Sequence, residues 1–173
     1  MAGNIRVIEV IPYNAEWKNE FEKIKIKING IIGDLVIRIE HVGSTSVEGL
    51  FAKPIIDIDV VISNYDCLPE IIKRLTKVGY QHEGDLGVEG REAFSRAFKD
   101  DFMEYHLYVC PKDGKGYLEH IAFRDYLRNN EVARNEYGVL KCKLAETYCF
   151  DRDGYCNAKT DFVRDILKKS IYR

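Results

Sequence analysis

The chain has 173 residues, 46% of them hydrophobic, and a formal net charge of −2; it is long enough for one domain with a real core and too apolar for a disordered chain. A pI near 6.1 argues against a protein that grips long nucleic acid through backbone phosphates. Five cysteines without a CxxC pair suit reduced thiols, and the absence of a bilayer-length apolar run or a cleavable signal pattern makes a cytoplasmic location the expectation.

Residues 5–11 read as a short strand or extended arm ending at Pro12. Asn14 is placed to cap a helix whose apolar positions are Trp17, Phe21, Ile24 and Ile28. Gly30 and Gly33 loosen its end before a strand at 36–39. The turn Gly43-Ser44 follows, and such a turn entering a helix aims free backbone N–H groups at an anion. Thr45 and Ser46 add hydroxyls beside it, and His41 reads as a structural histidine bonded to the turn. Lys53 stands at the mouth of the next strand, either solvated or contacting phosphate.

That strand, 56–62, carries Asp57 and Asp59 inside an otherwise aliphatic run. Strand side chains alternate, so the two carboxylates share a face about 6.6 Å apart, while Ile56, Ile58 and Val60 face a core. Charges in such a run lose hydration unless they are paired or metal-bound. A divalent cation removes that cost, and magnesium prefers carboxylate and phosphate oxygens. An anion cradle followed by a two-carboxylate strand is the layout for handling a nucleoside triphosphate.

Leu68, Ile71, Ile72, Leu75 and Val78 form one helical stripe stopped by Gly79. Residues 83–90 hold three glycines and lack a GxxxxGK[ST] pattern, so they read as a flexible rim rather than a P-loop. Residues 93–98 and 104–110 read as a hairpin around 99–101, with Glu104, His106 and Tyr108 on one face. Arg91 and Arg96 are candidates for phosphate contact. A helix from Tyr117 puts His120, Arg124 and Arg128 on one stripe. Further helices are expected at 131–148 and 158–170, with a turn at 151–154. The expected architecture is one α/β (α+β) domain over 1–173, a mixed sheet flanked by helices in 1–115 and a helical part in 116–173.

Gly-Ser, a spacer, then alternating hydrophobic and Asp residues resembles the signature of the nucleotidyltransferase superfamily with the polymerase-beta-like fold. The segments HVGSTSVEGLFAKPIIDIDVVI, GREAF, HLYVC, HIAFRDYLR, YGVLKCKLAE and YCNAKTDFV, in this order, resemble the GrpB family, also called UPF0157, from about Pro12 to the C-terminus. The resemblance implies that Gly43, Ser44 and Ser46 hold phosphates and that Asp57 and Asp59 hold Mg2+ or Mn2+. His106, or Glu104 two residues earlier, stands where the superfamily places a third carboxylate. Lys53, Arg91, Arg124, Lys141 and Lys159 are the candidates for a cationic wall around the triphosphate. Glu48 stands where family members often carry Pro. The function so implied is metal-dependent transfer of a nucleotidyl group from a nucleoside triphosphate to an acceptor not readable from the sequence. The alternative is a catalytically silent nucleotide- or coenzyme A-binding accessory module, since domains resembling this one occur fused to dephospho-coenzyme A kinase.

Overall fold

A computed structural model describes residues 7–171. Ile5 and Arg6 of the expected N-terminal arm lie outside them, and from that arm Ile11 forms an isolated bridge with Ala52. The Asn14 carboxamide accepts the Glu16 amide hydrogen at the start of α1, Glu16–Ile32. Trp17, Phe21, Ile24, Ile28 and Ile32 are its buried stripe, so the helix runs through Gly30 rather than ending there. Residues 33–35 tighten into a 3-10 turn, which delays β1 to Arg38–Val42 instead of 36–39.

The remaining strands are β2, Ile56–Ile62; β3, Tyr80–Gly84; β4, Glu92–Arg96; and β5, Tyr105–Pro111. Helix α2, Leu68–Lys77, joins β2 to β3 and has Pro69 in its first turn, where a missing N–H costs nothing. The sheet order is β1-β2-β5-β4-β3. β2 and β5 are parallel, and the other neighbours are antiparallel. The expected hairpin is β4–β5, with Phe94 opposite Leu107. Glu83 and Gly84 belong to β3, so the glycine-rich connection is shorter than 83–90.

One sheet face packs on α1 and α2. Ile56, Ile58 and Val60 meet Ile24, Ile28, Ile71 and Leu75 in one buried cluster. Each such side chain contributes about 1.5–3 kcal/mol by leaving water. This anchorage fixes the phase of β2 and forces Asp57 and Asp59 to the other face.

That other face is overlaid by the C-terminal helices α3, Lys115–Arg128; α4, Glu131–Thr147; α5, Arg152–Ala158; and α6, Thr160–Ile171. α3 lies against β1 and β5. A second core of Val47, Leu50, Leu127, Tyr137 and Ile166 locks the helices to the segment before β2. The Asp151 carboxylate accepts the Gly154 amide and caps α5. Residues 151–154 therefore open an additional helix instead of forming a plain turn, and the expected last helix, 158–170, is α6.

Candidate active site

The strand register assembles the site. Asp57 lies opposite Val42 on β1 and His106 on β5, and Asp59 lies opposite Glu40 and Tyr108. His106 Nδ1 donates to Asp57 Oδ1 at 2.8 Å, and His120 Nδ1 on α3 donates to Asp59 Oδ2 at 2.8 Å. Each aspartate thus has a histidine partner. Burial pushes the Asp57 carboxyl up, but the hydrogen bond and charge of His106, aided by His120 and Lys53, outweigh it and hold the group below the usual range. Asp59 is fully buried, and burial raises its carboxyl despite the opposing His120. For His120 burial works downward, but the Asp59 bond and charge win and raise it.

The turn before β2 is built on Gly43, whose φ is +70°. A Cβ there would collide with the Asp57 carboxylate. Residues 44–46 form a single 3-10 turn rather than the start of a longer helix. Ser46 donates its hydroxyl to the Gly43 carbonyl at 2.6 Å, and the Ser46 and Val47 amides bond within the turn. The Thr45 hydroxyl donates to the Ile55 carbonyl and accepts from His41 Nε2 at 3.0 Å. His41, stacked on Phe21, is pushed down to about 4, first of all by burial. It is the structural histidine expected for this turn.

Ser44 faces the helices. Lys141 Nζ donates to its Oγ at 2.8 Å, although Lys141 is only 2% exposed. Burial, then the nearby Lys159 cation, push the Lys141 ammonium well below its ordinary value. Lys53 and Lys159 both lie over the Tyr155 ring, at 5.3 and 4.4 Å. Lys159 is also lowered, with burial the main cause and Lys53 contributing. Lys53, Lys141 and Lys159 therefore gather beside Asp57. Arg91 stacks 4.3 Å above Tyr108 and draws the Asp59 carboxyl down, and its Nε is buried without a hydrogen-bond partner.

The structure places Arg124 elsewhere. Its guanidinium is engaged by Glu40, Asp125 and the His41 carbonyl, and it lines a separate cleft beside β1. Arg96 also turns away, stacked on Tyr105 and paired with Asp100. Glu104 precedes β5 and is exposed; it lines a pocket of about 410 Å³ with His106, Tyr108 and Arg152. His106, not Glu104, occupies the position facing Asp57.

Among the described residues no three His, Cys, Asp or Glu side chains converge as a metal site. A hard cation that arrives with phosphates needs only one or two protein carboxylates. Asp59 Oδ1 is buried without a hydrogen-bond partner, and Asp57 Oδ2 faces the Gly43 turn. Each aspartate thus keeps one oxygen outside its histidine bond, and the pair does not resemble a closed structural metal site. The role of His120 was not assigned from the sequence. Its place on a helical stripe was visible, but its contact with Asp59 spans 61 residues. Tyr155, the ring beneath two lysines, heads the segment YCNAKTDFV, but its role was not assigned from the sequence.

The GrpB protein family model matches residues 7–169. The chain is 37% identical to the glutamate-rich protein GrpB of Alkalihalophilus pseudofirmus, over 92% of this chain and 94% of that protein. It superposes on the crystal structure of the conserved protein GrpB from Enterococcus faecalis with a TM-score of 0.84 and 31% identity, covering 95% of this chain and 98% of that one. A more distant likeness, to the GLD-2/RNP-8 complex, has a TM-score of 0.54 and 13% identity over 88% of this chain and 60% of that one. At that identity it shows the fold alone. The architecture is the polymerase-beta-like nucleotidyltransferase fold.

Proposed function

The chain belongs to the GrpB family, and from the geometry of its site we propose that it binds a nucleoside triphosphate between the β2–β5 face and helices α4–α6 and transfers the nucleotidyl group to an acceptor. The observation that carries this reading is the buried Lys141 ammonium on the Ser44 hydroxyl, beside the Asp57–Asp59 pair. A buried cation with no carboxylate bonded to it is stabilised by an incoming anion.

In this reading Ser44, Lys53, Lys141 and Lys159 bind the phosphate oxygens. Arg91, fixed on Tyr108, carries positive charge to the Asp59 side. His106 and His120 position the two carboxylates through one oxygen each. Asp57 and Asp59 would hold Mg2+ or Mn2+, which when bound neutralises charge at the attacked phosphorus. The α3–α6 helices keep water from the Asp59 side, where the carboxylate has no exposure.

A second reading has one observation in its favour. The position facing Asp57 holds a histidine, and both aspartates already have histidine partners. That suits a module that binds a nucleotide or coenzyme A-like ligand without catalysis. Calorimetry separates the two. Triphosphate binding that needs Mg2+ or Mn2+ and is lost in Asp57→Asn/Asp59→Asn supports transfer. Binding that is metal-independent and survives the double substitution supports the silent module. No triphosphate binding under any condition removes the transfer reading and leaves only a coenzyme A-like ligand for the silent module.

A further inference from the structure

A second cleft opens on the β1 edge of the sheet, behind the turn that carries Ser44. Its volume is about 740 Å³, within the range of small-molecule sites. One wall is α1, with Lys18 and Lys25; the other is α3 and α4, with Arg128 and Arg134. Cations thus stand on both sides of one space. Lys141, Lys53 and Lys159 are not among its lining residues.

The arginines are held for contact rather than neutralised. Arg128 donates Nε and Nη2 to the Ser46 carbonyl, at 3.1 and 2.7 Å. That fork uses a neutral oxygen; Asp125 stands 3.8 Å from the guanidinium, and Glu40 acts on its charge from farther off. Burial, and then the neighbouring Arg124 cation, push the Arg128 guanidinium down, as expected where like charges crowd. Arg134 lies over the backbone of Gly49, and its Nε is buried without a hydrogen-bond partner. A buried N–H left unpaired is unfavourable, and an anionic acceptor would relieve it.

The cleft also holds carboxylates, and they are largely committed. Glu40 is bonded to Arg124 at 3.0 Å, and Glu22 pairs with Lys25 at 3.6 Å. Glu48 is exposed at the rim. The cations left over are Lys18, Arg128 and Arg134.

We propose that this cleft is a binding site for a small ligand carrying more than one phosphate group, separate from the site around Lys141. Lys18 on one wall and Arg128 and Arg134 on the other can meet phosphate oxygens at two points. The inference does not depend on the nucleotidyl-transfer reading.

The test is a titration with inorganic pyrophosphate followed by amide and arginine Nε–H NMR, on wild type and on Lys141→Met. Saturable shifts at residues 45–49 and at the Arg134 Nε–H are expected in both proteins. Arg134→Gln is expected to weaken that binding about tenfold. Lys18→Gln, on an exposed helical position, is expected to weaken it several-fold with the spectrum otherwise intact. The proposal is overturned if those shifts vanish in Lys141→Met, if neither substitution changes them, or if citrate binds there more tightly than pyrophosphate. Pyrophosphate shifts confined to the surroundings of Lys141 would uphold the triphosphate site and sink this one; shifts confined to the cleft would do the reverse.

Discussion

Lys141 and Ser44 lie 97 residues apart in the chain and meet through a 2.8 Å hydrogen bond. The contact fastens α4 to the turn that precedes the aspartate strand. It also places a cation where water is nearly excluded. The Tyr137 ring, 4.5 Å from the ammonium, offsets part of the desolvation but supplies no full charge.

Replacing Lys141 with Met should therefore stabilise the free protein and weaken the ligand complex. Isosteric replacement of a buried charge is often stabilising, and about 1 kcal/mol corresponds to about 3 °C for a chain of this size. The sign with pH is also fixed. The folded value is depressed, so the unfolded chain binds more protons between that value and the ordinary 10.5. Wild-type stability should rise with pH across this window, and Lys141→Met should flatten the rise. Thermal melts over pH check both points, and triphosphate affinity should fall about tenfold or more in the same variant. A less stable variant with unchanged affinity would contradict the role given to Lys141.

His120 should titrate above an ordinary histidine, because the Asp59 bond outweighs burial. Its pairing stabilises the fold fully below the unfolded value of 6.5 and fades as pH rises through the raised folded value. Imidazole NMR titration reads this directly. In Asp59→Asn the favourable charge is gone and burial remains, so the His120 value should drop below 6.5. An unchanged titration in the variant would show that Asp59 does not hold this ring.

His41 should behave in the opposite way. Buried against Phe21, it stays neutral in the fold down to about pH 4, while the unfolded chain protonates near 6.5. Stability is present above 6.5 and is lost as pH falls toward 4, by about 3 kcal/mol at about 1.4 kcal/mol per unit. Urea titrations at several pH values on wild type and His41→Gln test this. The acid loss should shrink in the variant, and an identical pH profile would remove His41 as its source.

Short-range pattern made much of this molecule readable. The stripe of Trp17, Phe21, Ile24 and Ile28, the two-faced alternation of residues 56–60 and the β4–β5 hairpin all follow from the period of their own side chains. The gathering of Ser44, Asp57, Lys53 and Lys159 was also anticipated, from spacing and family resemblance together. What the sequence hid depends on packing between distant segments. Arg124 shares a stripe with His120, yet the first turns to Glu40 and the second to Asp59. One helical turn separates them, and only the position of α3 over β1 and β5 decides which neighbour each one meets. Helix α5 was missed for a local reason, because Asp151 in a polar segment serves equally as a turn residue and as a helix cap.

Gly43→Ala offers the sharpest separation of backbone strain from site geometry. Gly43 and Gly49 both have positive φ, +70° and +78°. At Gly49 an added Cβ would find Arg134 Nε at 3.6 Å, an ordinary contact, so alanine there should cost about 1 kcal/mol of left-handed strain. At Gly43 the same strain applies, and the Cβ also collides with the Asp57 carboxylate. Asp57 must then turn and give up its bond from His106. A charge-assisted bond lost from a partly exposed pair adds about 1 kcal/mol. Urea denaturation should show the midpoint falling about twice as far for Gly43→Ala as for Gly49→Ala, with the slope unchanged in both. Equal midpoints would mean that the carboxylate shifts freely. Gly43 would then serve only the turn, and Asp57 would not be held in place by it.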